Sequence, residues 1–518
     1  MTRCLFLLLL FAFLPALPQD LRPVAGVAVD GVTGQPLKNI RVLLSPVAKP
    51  NSSMIAKTGD DGQFRFDVPK GTYNLRGSRP GLPVQTYGAR SLANGLGSAV
   101  IVGPDQETGQ LVFRLLPPGS ISGKVVDTWG EPVESTLVQL FSIRVMGGRR
   151  DTQMQASAYT NDLGEYRFGA LAAGTYYLSV SGQPWMSQSG LASSVLGAYA
   201  TVYYPNTADA RAAAPLTIKL GQEASANFTL PSTPGFKLTV RSAEQGSSAI
   251  RAFVTGEGIL GKDGYQRVLS MSGGAQELPA LPPGRYKVRL IGMDRDRPLI
   301  GEQKVDIVDS DVQVTVPLKS LATVSGSVRL SEQDTPAALT GVFVTIRNEI
   351  SGQFANQEVA ADGTFTIPRV APGRYRINVF DRSGVFVQSV STPAGVLADN
   401  LLNIADESPQ QAELTVTRRS GRVKGFAEQG GKPMPGLSVV LAPVKPSSNA
   451  GDYSLFLSDS DGSFDWPAVR PGQYHLFAVN EDDIEYANPQ AIQKYLGAAK
   501  TITVEPKGVV TENVEAQP

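Results

Sequence analysis

Apolar and polar side chains alternate along short segments of this chain, and turn residues separate the segments. In "EYRFGALAAGTYYLSV", Tyr166 and Phe168 share one face of a segment, and Tyr176 and Leu178 share one face of the next. A period of two with aromatic and β-branched residues predicts half-buried β-strands. Long segments with the 3.6-residue period of a helix are missing from the sequence. We therefore expect an all-β protein, with "NPQAIQKYLG" from Asn488 as the best short helix.

The strand pattern repeats at intervals of roughly 100 residues, which is the size of a small domain. Each copy contains a Gly-x-Tyr tripeptide at the start of a strand. The glycines of these tripeptides are Gly71, Gly174, Gly284, Gly373 and Gly472. About seven strands in each copy predict a sandwich of two β-sheets. The sequence therefore predicts a tandem array of about five β-sandwich units.

The repeats also predict where each unit begins and ends. We expect a signal peptide over residues 1–19 and then five sandwiches, over residues 20–118, 119–232, 233–320, 321–419 and 420–518. The third unit is divergent because it lacks the Asp-x-Gly turn of the others, and its sequence leaves open whether it is a complete sandwich. Each unit ends with a closing strand. Linkers near these last strands would join the units into a string that extends the molecule.

An acidic residue precedes glycine at the same place in several copies, and this pattern has two interpretations, a ligand-binding lip or a turn. Asp bonds to backbone amides in a turn, and Gly supplies the positive φ. The pattern recurs in one register, which favours the turn. The copies are Asp61-Gly62, Asp162-Leu163-Gly164, Asp362-Gly363 and Asp461-Gly462. The aromatic residues that follow are predicted core anchors: Phe64, Tyr166, Phe365 and Phe464.

The N-terminus has the pattern of an export signal. Arg3 precedes the apolar run "CLFLLLLFAFL", which is too short to span a bilayer as a stable helix. We expect cleavage between Ala16 and Gln19, and then a periplasmic, outer-membrane-associated or extracellular protein without a transmembrane segment. Cys4 is the only cysteine, so the exported part has no disulfide.

Charge and histidine content exclude several function classes. Lys+Arg and Asp+Glu are 47 each, which argues against a nucleic-acid-binding surface. His475 is the only histidine, so a Cys or His metal site or a Ser-His-Asp mechanism would have to use it. His475 aligns with Arg376 on the side of a strand opposite the core, which predicts an exposed position. The acidic run from Glu481 to Glu485 is typical of a solvated loop.

Two phrases of the first repeat resemble the carboxypeptidase regulatory-like domain: "VDGVTGQPLKNIRV" and "TGDDGQFRFDVPKGTYNL". The resemblance covers the first, second, fourth and fifth units, and it reaches the third unit through "LPPGRYKV". It implies a transthyretin-like (prealbumin-like) seven-stranded sandwich. Members of this family occur as accessory domains on exported peptidases, at the front of outer-membrane receptors and as tandem arrays in exported bacterial proteins. The resemblance implies no activity, and no metallopeptidase catalytic domain accompanies the repeats.

Aromatic residues in predicted loops are candidates for stacking on sugar rings or peptides. The alternative is that Trp129 lies across a hairpin tip and that the tyrosines pin long loops to their own unit. The candidates are Trp129, Trp185, Tyr203, Tyr204 and Tyr486.

The stretch "SDSDGSFD" offers carboxylates for calcium. Asp459, Asp461 and Asp465 lie close together, and Ca²⁺ prefers several hard oxygen ligands. The late Glu of a helix-loop-helix calcium site is missing, and the competing interpretation is a turn. We expect no cofactor.

Three functions remain open at this point. The leading hypothesis is a non-enzymatic, exported binding or scaffold protein of the cell envelope, with polysaccharide or envelope protein as its partner. The first alternative is a structural spacer or protein–protein interaction array. The second is a glycoside hydrolase that uses carboxylates alone, which needs two such groups facing each other across a cleft.

Overall fold

The structure, a computed structural model, describes residues 20–93, 95–182, 197–243, 248–258, 263–271, 274–294, 297–331, 339–350, 352–381 and 384–518. The regular secondary structure of the described chain is almost entirely β-strand, arranged as sandwiches in tandem, so the predicted fold class is confirmed. The proposed signal peptide and Trp185 lie outside the described residues.

The first unit packs two sheets around one core. Its strands are β1 (Arg22–Asp30), β2 (Arg41–Pro46), β3 (Met54–Lys57), β4 (Gln63–Val68), β5 (Gly71–Arg79), β6 (Leu82–Thr86), β7 (Val100–Val102) and β8 (Leu111–Leu115). One sheet has the order β4-β1-β8, and the other has the order β3-β2-β5-β6 with β7 also paired to β5.

The second unit repeats this plan with longer strands in one sheet. The strands are β9 (Gly119–Asp127), β10 (Leu137–Met146), β11 (Arg149–Tyr159), β12 (Glu165–Leu171), β13 (Gly174–Ser181), β14 (Gly197–Tyr199), β15 (Val202–Tyr203), β16 (Leu216–Ile218), β17 (Glu223–Ser225), β18 (Phe228–Leu230) and β19 (Ser232–Pro234). One sheet has the order β12-β9-β17 with β18 on β9, and the other has β11-β10-β13-β15 with β16 on β13. Strands β14 and β19 pair with each other, and a 3-10 helix covers Ala210–Ala212.

The third unit is a two-sheet sandwich like its neighbours, which answers the question that its sequence left open. Its strands are β20 (Phe236–Ser242), β21 (Ser248–Glu257), β22 (Asp263–Met271), β23 (Ala275–Leu281), β24 (Gly284–Asp294), β25 (Arg297–Ile307), β26 (Val312–Val316) and β27 (Lys319–Ser320). The two sheets have the orders β23-β20-β26 and β22-β21-β24-β25-β27.

The fourth unit also separates into two sheets. The strands are β28 (Ala322–Leu330), β29 (Phe343–Asn348), β30 (Phe354–Glu358), β31 (Thr364–Val370), β32 (Gly373–Phe380), β33 (Phe386–Thr392), β34 (Gly395–Val396), β35 (Leu401–Ile404) and β36 (Gln410–Thr417). Their orders are β31-β28-β36-β33-β34 and β30-β29-β32-β35, and a 3-10 helix covers Ala398–Asn400.

The fifth unit differs because its last strand joins the two sheets. The strands are β37 (Gly421–Gln429), β38 (Lys432–Pro433), β39 (Ser438–Pro443), β40 (Ser454–Leu457), β41 (Ser463–Val469), β42 (Gly472–Val479), β43 (Lys500–Val504), β44 (Val509–Thr511) and β45 (Val514–Gln517). Strand β45 pairs in parallel with both β37 and β42. A 3-10 helix covers Ala450–Asp452. The predicted short helix is confirmed as α1 (Pro489–Leu496), which Asn488 caps by accepting from the Gln490 amide at 3.2 Å.

The repeated Asp-Gly turn is structural, as the sequence predicted. Asp61, Asp362 and Asp461 each accept a backbone N–H from the residue two positions later. In the looser second copy Asn161, rather than Asp162, accepts from two backbone amides. The glycine that follows has a positive φ in every copy, and the aromatic anchors are buried.

Each buried aromatic anchor faces a glycine on the neighbouring strand, and the sequence reasoning missed this pairing. The pairs are Gly26 with Phe64, Gly123 with Tyr166, Gly326 with Phe365, and Gly425 with Phe464. On each of these glycines a β-carbon would lie about 2 Å or less from a carbonyl oxygen of the strand or segment alongside. Strand β20 of the third unit has no glycine, so this unit lacks both the turn and the glycine.

The tyrosine of each Gly-x-Tyr tripeptide closes its own loop. Its phenol donates to the carbonyl four residues earlier, at distances from 2.6 to 2.9 Å. The five donors are Tyr73, Tyr176, Tyr286, Tyr375 and Tyr474. This bond gives the Tyr a polar partner while its ring packs in the core. It explains why the Gly-x-Tyr tripeptide is also present in the divergent third unit.

Candidate functional site: the junction around the fifth unit

The fifth unit packs against the first unit through backbone groups. Residues 98–101 lie beside residues 458–460, and the Ser460 amide donates to the Ala99 carbonyl at 2.9 Å. In return the Ala99 amide donates to Oδ1 of Asp459 at 3.0 Å. These bonds satisfy backbone groups that a separate first unit would expose to water.

Asp459 is buried in this contact, with 8% of its surface exposed. Burial raises the pKa of its carboxyl to about 7; the Ala99 amide lowers it, and the charges of Asp461 and Asp465 raise it. The three proposed calcium ligands have separate partners here. Asp461 accepts a backbone N–H of its own turn, and Asp465 pairs with Arg422. Among the described residues no group of three metal-ligating side chains is found.

Arg90 extends the contact between the first and fifth units. It donates to the Gly436 carbonyl at 3.0 Å and to the Asn480 side chain, and its Nε lies 3.0 Å from Oδ1 of Asp482. The acidic run of the fifth unit is therefore part of an interface. Asp482 is exposed, as expected of a solvated loop, but its charge also meets an arginine that is distant in sequence.

Two adjacent arginines of the second unit bind the same region of the fifth unit. Arg149 donates to the Ser448 carbonyl at 2.7 Å and to the Ala487 carbonyl at 3.1 Å. Arg150 forms an ion pair with Glu485 at 3.0 Å. Both arginines begin strand β11, which with β10 forms a hairpin longer than its counterparts in the first, fourth and fifth units. That extra length was a sequence signal that the repeat alignment did not use.

The fourth unit completes the junction through a buried arginine. Arg376 is 5% exposed and pairs with Glu349 at 2.9 Å. Its guanidinium also donates to Ser448 Oγ at 3.2 Å, and that hydroxyl donates to Asp399 at 2.9 Å. The loop that carries Ser448 therefore lies between the second and fourth units.

These contacts correct the expectation that tandem units form an extended string. The fifth unit touches the first, second and fourth units, so the chain folds back on itself. The physical reason is that the outward faces of several sheets carry groups complementary to another unit. Alignment of the repeats treats those faces as solvent-exposed, which is why Arg376 was misplaced.

The prediction that His475 is exposed is also wrong. His475 is half-buried, and its Nδ1 is buried without a hydrogen-bond partner among the described residues. It lies on β42, whose outer face in the fifth unit is covered by a second apolar cluster. That cluster includes Val440, Tyr453, Phe477, Ile484, Ile492 and Tyr495.

The loop aromatics proposed as ligand-binding residues do not come together. Trp129 is 80% exposed at the tip of a turn that Asp127 holds by accepting two backbone amides. Tyr204 packs against the core of the second unit, edge-on to Phe228. Tyr486 packs against the second apolar cluster of the fifth unit, and burial raises the pKa of its phenol.

Tyr203 lies where the second unit meets the third. Its ring is buried against Phe141, and its phenol donates to the Glu257 carbonyl at 3.2 Å. Burial raises the pKa of Tyr203 to about 12. Its ring face is thus covered rather than open to a sugar. The cleft above it has a volume of about 540 Å³ and is lined in part by Asp209 and Glu257.

Comparison with protein families supports the resemblance seen in the sequence. Residues 120–231 match the model of the carboxypeptidase regulatory-like domain. The chain therefore contains a carboxypeptidase regulatory-like domain in its second unit. The first, fourth and fifth sandwiches repeat its turn and tyrosine, and the third repeats the tyrosine.

Similar solved structures include the TIE protein of one bacterium and two pilins. The TIE protein of Bacillus anthracis is 13% identical, with 78% of this chain and 75% of that chain covered and a TM-score of 0.18. The minor pilin of Streptococcus agalactiae is 14% identical, with 41% and 96% covered and a TM-score of 0.22. The major pilin subunit of Bacillus cereus is 10% identical, with 57% and 99% covered and a TM-score of 0.14.

A comparison with curated proteins found no match. Within the part of the chain that the structure describes, no helix is both long and apolar enough to cross a bilayer.

Proposed function

We propose that this protein is an exported, non-enzymatic binding and scaffold protein of the cell envelope. The observation that carries the proposal is the junction around the fifth unit, where Arg90, Arg149 and Arg376 hold four sandwiches together. Because these charged side chains form contacts between units, they fix how the surfaces of the units are arranged. Such an arrangement suits the display of binding sites or the spacing of partners.

The domain boundaries belong to the same proposal. We place the five sandwiches at residues 20–118, 119–232, 233–320, 321–419 and 420–518, after a signal peptide over residues 1–19. One main apolar core falls inside each of these ranges, which supports the division.

The hydrolase alternative has less support. A carboxylate pair needs a general acid with a raised pKa. The cleft between the second and third units has Asp209 and Glu257 in its lining, but hydrogen bonds from Arg211 lower the pKa of Asp209. That direction is opposite to the one a general acid requires.

Carbohydrate binding is the second candidate, and the exposed ring of Trp129 favours it. An aromatic side chain held at the tip of a rigid turn offers a flat apolar face to a sugar ring. The partner in this proposal is a polysaccharide of the envelope, and a protein partner is the alternative.

One experiment tests both the binding and the absence of catalysis. The purified protein is incubated with a panel of envelope polysaccharides, and retained protein and released reducing ends are measured in the same samples. We expect retention without product. Trp129→Ala should weaken retention roughly tenfold, because it removes a stacking face.

The matched control is Tyr159→Ala, which removes another exposed aromatic ring from the same unit. This variant should bind like the unmodified protein. Release of reducing ends would contradict the non-enzymatic proposal, and equal losses in both variants would contradict the role of Trp129.

A further inference from the structure

A polar cavity of about 360 Å³ lies where the first, second and fifth units meet. Its size is in the range of sites that hold a small molecule or one sugar ring. The second unit supplies most of the lining, the first unit supplies a loop, and the fifth unit supplies one carboxylate. The polar lining residues include Ser91, Ser142, Arg144, Arg150, Tyr177 and Asp483.

The hydroxyl of Ser142 is the first unexplained group in this cavity. Ser142 is 3% exposed, and its Oγ is buried without a hydrogen-bond partner among the described residues. Buried polar groups in folded proteins are nearly always hydrogen-bonded, so an unpartnered hydroxyl in a cavity wall points to a ligand.

Arg144 is the second unexplained group. It lies two residues after Ser142 on β10, and both residues line the cavity. Its Nη2 donates to the Tyr176 phenol at 3.1 Å, and its guanidinium carbon lies 5.9 Å from the centre of that ring. A guanidinium has five N–H donors, and this contact uses one of them. Arg144 forms no ion pair within the described part of the chain.

The other charged groups around the cavity determine which ligand charge the site favours. Arg150 is neutralised by Glu485 at 3.0 Å, and Asp483 is exposed at the rim. A carboxylate suits the planar donors of Arg144, while the nearby Asp483 disfavours a ligand with a higher negative charge. Ser91, Ser142 and Tyr177 add hydroxyls that both donate and accept, as sugar hydroxyls require.

We propose that this cavity binds an acidic sugar, with the carboxylate of a uronic acid residue against Arg144 and a sugar hydroxyl against Ser142. The site accepts the residue either as a free monosaccharide or as part of a polysaccharide. The inference rests on the proposed binding function and names its ligand class.

Titration calorimetry on the purified protein tests the site, with galacturonate, galactose and a galacturonate oligomer as probes. We expect saturable binding of galacturonate and at least tenfold weaker binding of galactose, because the neutral sugar leaves Arg144 without an anion. Tighter binding of the oligomer would identify a polysaccharide as the source, and equal binding per sugar would identify the free acid. Absence of heat with both acidic probes would overturn the proposal.

Three variants locate the binding. Ser142→Ala should weaken galacturonate binding about 2–10-fold, and Arg144→Gln should weaken it about tenfold or more, while Arg144→Lys should restore part of the loss. Ser179→Ala is the matched control, because Ser179 is equally buried on the neighbouring strand β13 but does not line the cavity. Melting curves show whether each variant is folded.

Two outcomes would contradict the site. Unchanged galacturonate binding in folded Ser142→Ala and Arg144→Gln would place the ligand elsewhere. Equal losses in Ser142→Ala and Ser179→Ala would show a general effect on the unit. Failure of this inference leaves the scaffold proposal intact, because the polysaccharide panel and the packing of the fifth unit are measured separately.

Discussion

Replacing Gly123 by alanine is expected to lower the free energy of unfolding of the second unit by about 3–5 kcal/mol. A β-carbon at this position would lie 1.8 Å from the Ala226 carbonyl oxygen and 2.9 Å from Cε1 of Tyr166. The closing segment would have to move away, and the bond from the Ala226 amide to the Ser122 carbonyl, 2.9 Å long, would be lost. The reduced unfolded-state entropy of alanine offsets less than about 1 kcal/mol of this cost.

Thermal and denaturant unfolding measure this effect. The matched control is Gly169→Ala in the same unit, because Gly169 is exposed and a β-carbon there meets nothing within 4 Å. The control should change the free energy of unfolding by less than about 1 kcal/mol. Similar stabilities for the two variants would mean that the closing strand does not approach β9 as closely as described.

The second large effect concerns pH and Asp459. Burial raises the pKa of its carboxyl from 3.8 to about 7 in the folded protein. The folded state therefore binds this proton more tightly than the unfolded state does. The stability from this group is complete below about pH 4, falls as the pH rises from about 4 to about 7, and is lost above that. The shift corresponds to a loss on the order of 4 kcal/mol.

The Asp459→Asn variant isolates this effect, because the amide oxygen can still accept from Ala99 and no charge forms. The free energy of unfolding of Asp459→Asn minus that of the unmodified protein should increase between pH 5 and pH 8 and then level off. Asp61→Asn is the control, since Asp61 accepts the equivalent turn amide in the first unit, 3.0 Å from Gln63 N, and its charge is not among those that act on Asp459. A difference for Asp459→Asn that stays constant with pH would contradict the burial of this charge.

The sequence was sufficient for the parts of the fold that depend on local contacts. The Asp-Gly turns, the buried Phe64 and the capped helix after Asn488 are determined within a few residues, so a repeated phrase reveals them. The two-sheet sandwich follows from the alternation of apolar residues, because each half-buried strand must cover one face. Even the divergent third unit keeps its core and its Tyr286 contact.

The packing between units could not be predicted from local sequence patterns. The contact between Ser98 and Ser458 joins residues 360 positions apart, and nothing local marks either residue as an interface residue. Arg376 and His475 occupy outward-facing positions of their strands, where repeat alignment predicts exposure. The fifth unit covers Arg376, and an added helical segment covers the region of His475.

The candidate functional residues, too, were only partly predictable from the sequence. Loop aromatics were a reasonable signal for ligand binding, yet only Trp129 of the described candidates presents an open ring, and Tyr203 is part of a contact between units. Ser142 and Arg144 have no motif in the sequence. They become a candidate site only because three units enclose them in one cavity.

Small-angle X-ray scattering of the purified protein tests whether the fifth unit packs back on the first, second and fourth units. We expect a radius of gyration between about 23 and 32 Å, as for a compact chain of this length. A radius near 50 Å, as expected for five sandwiches in a line, would contradict it.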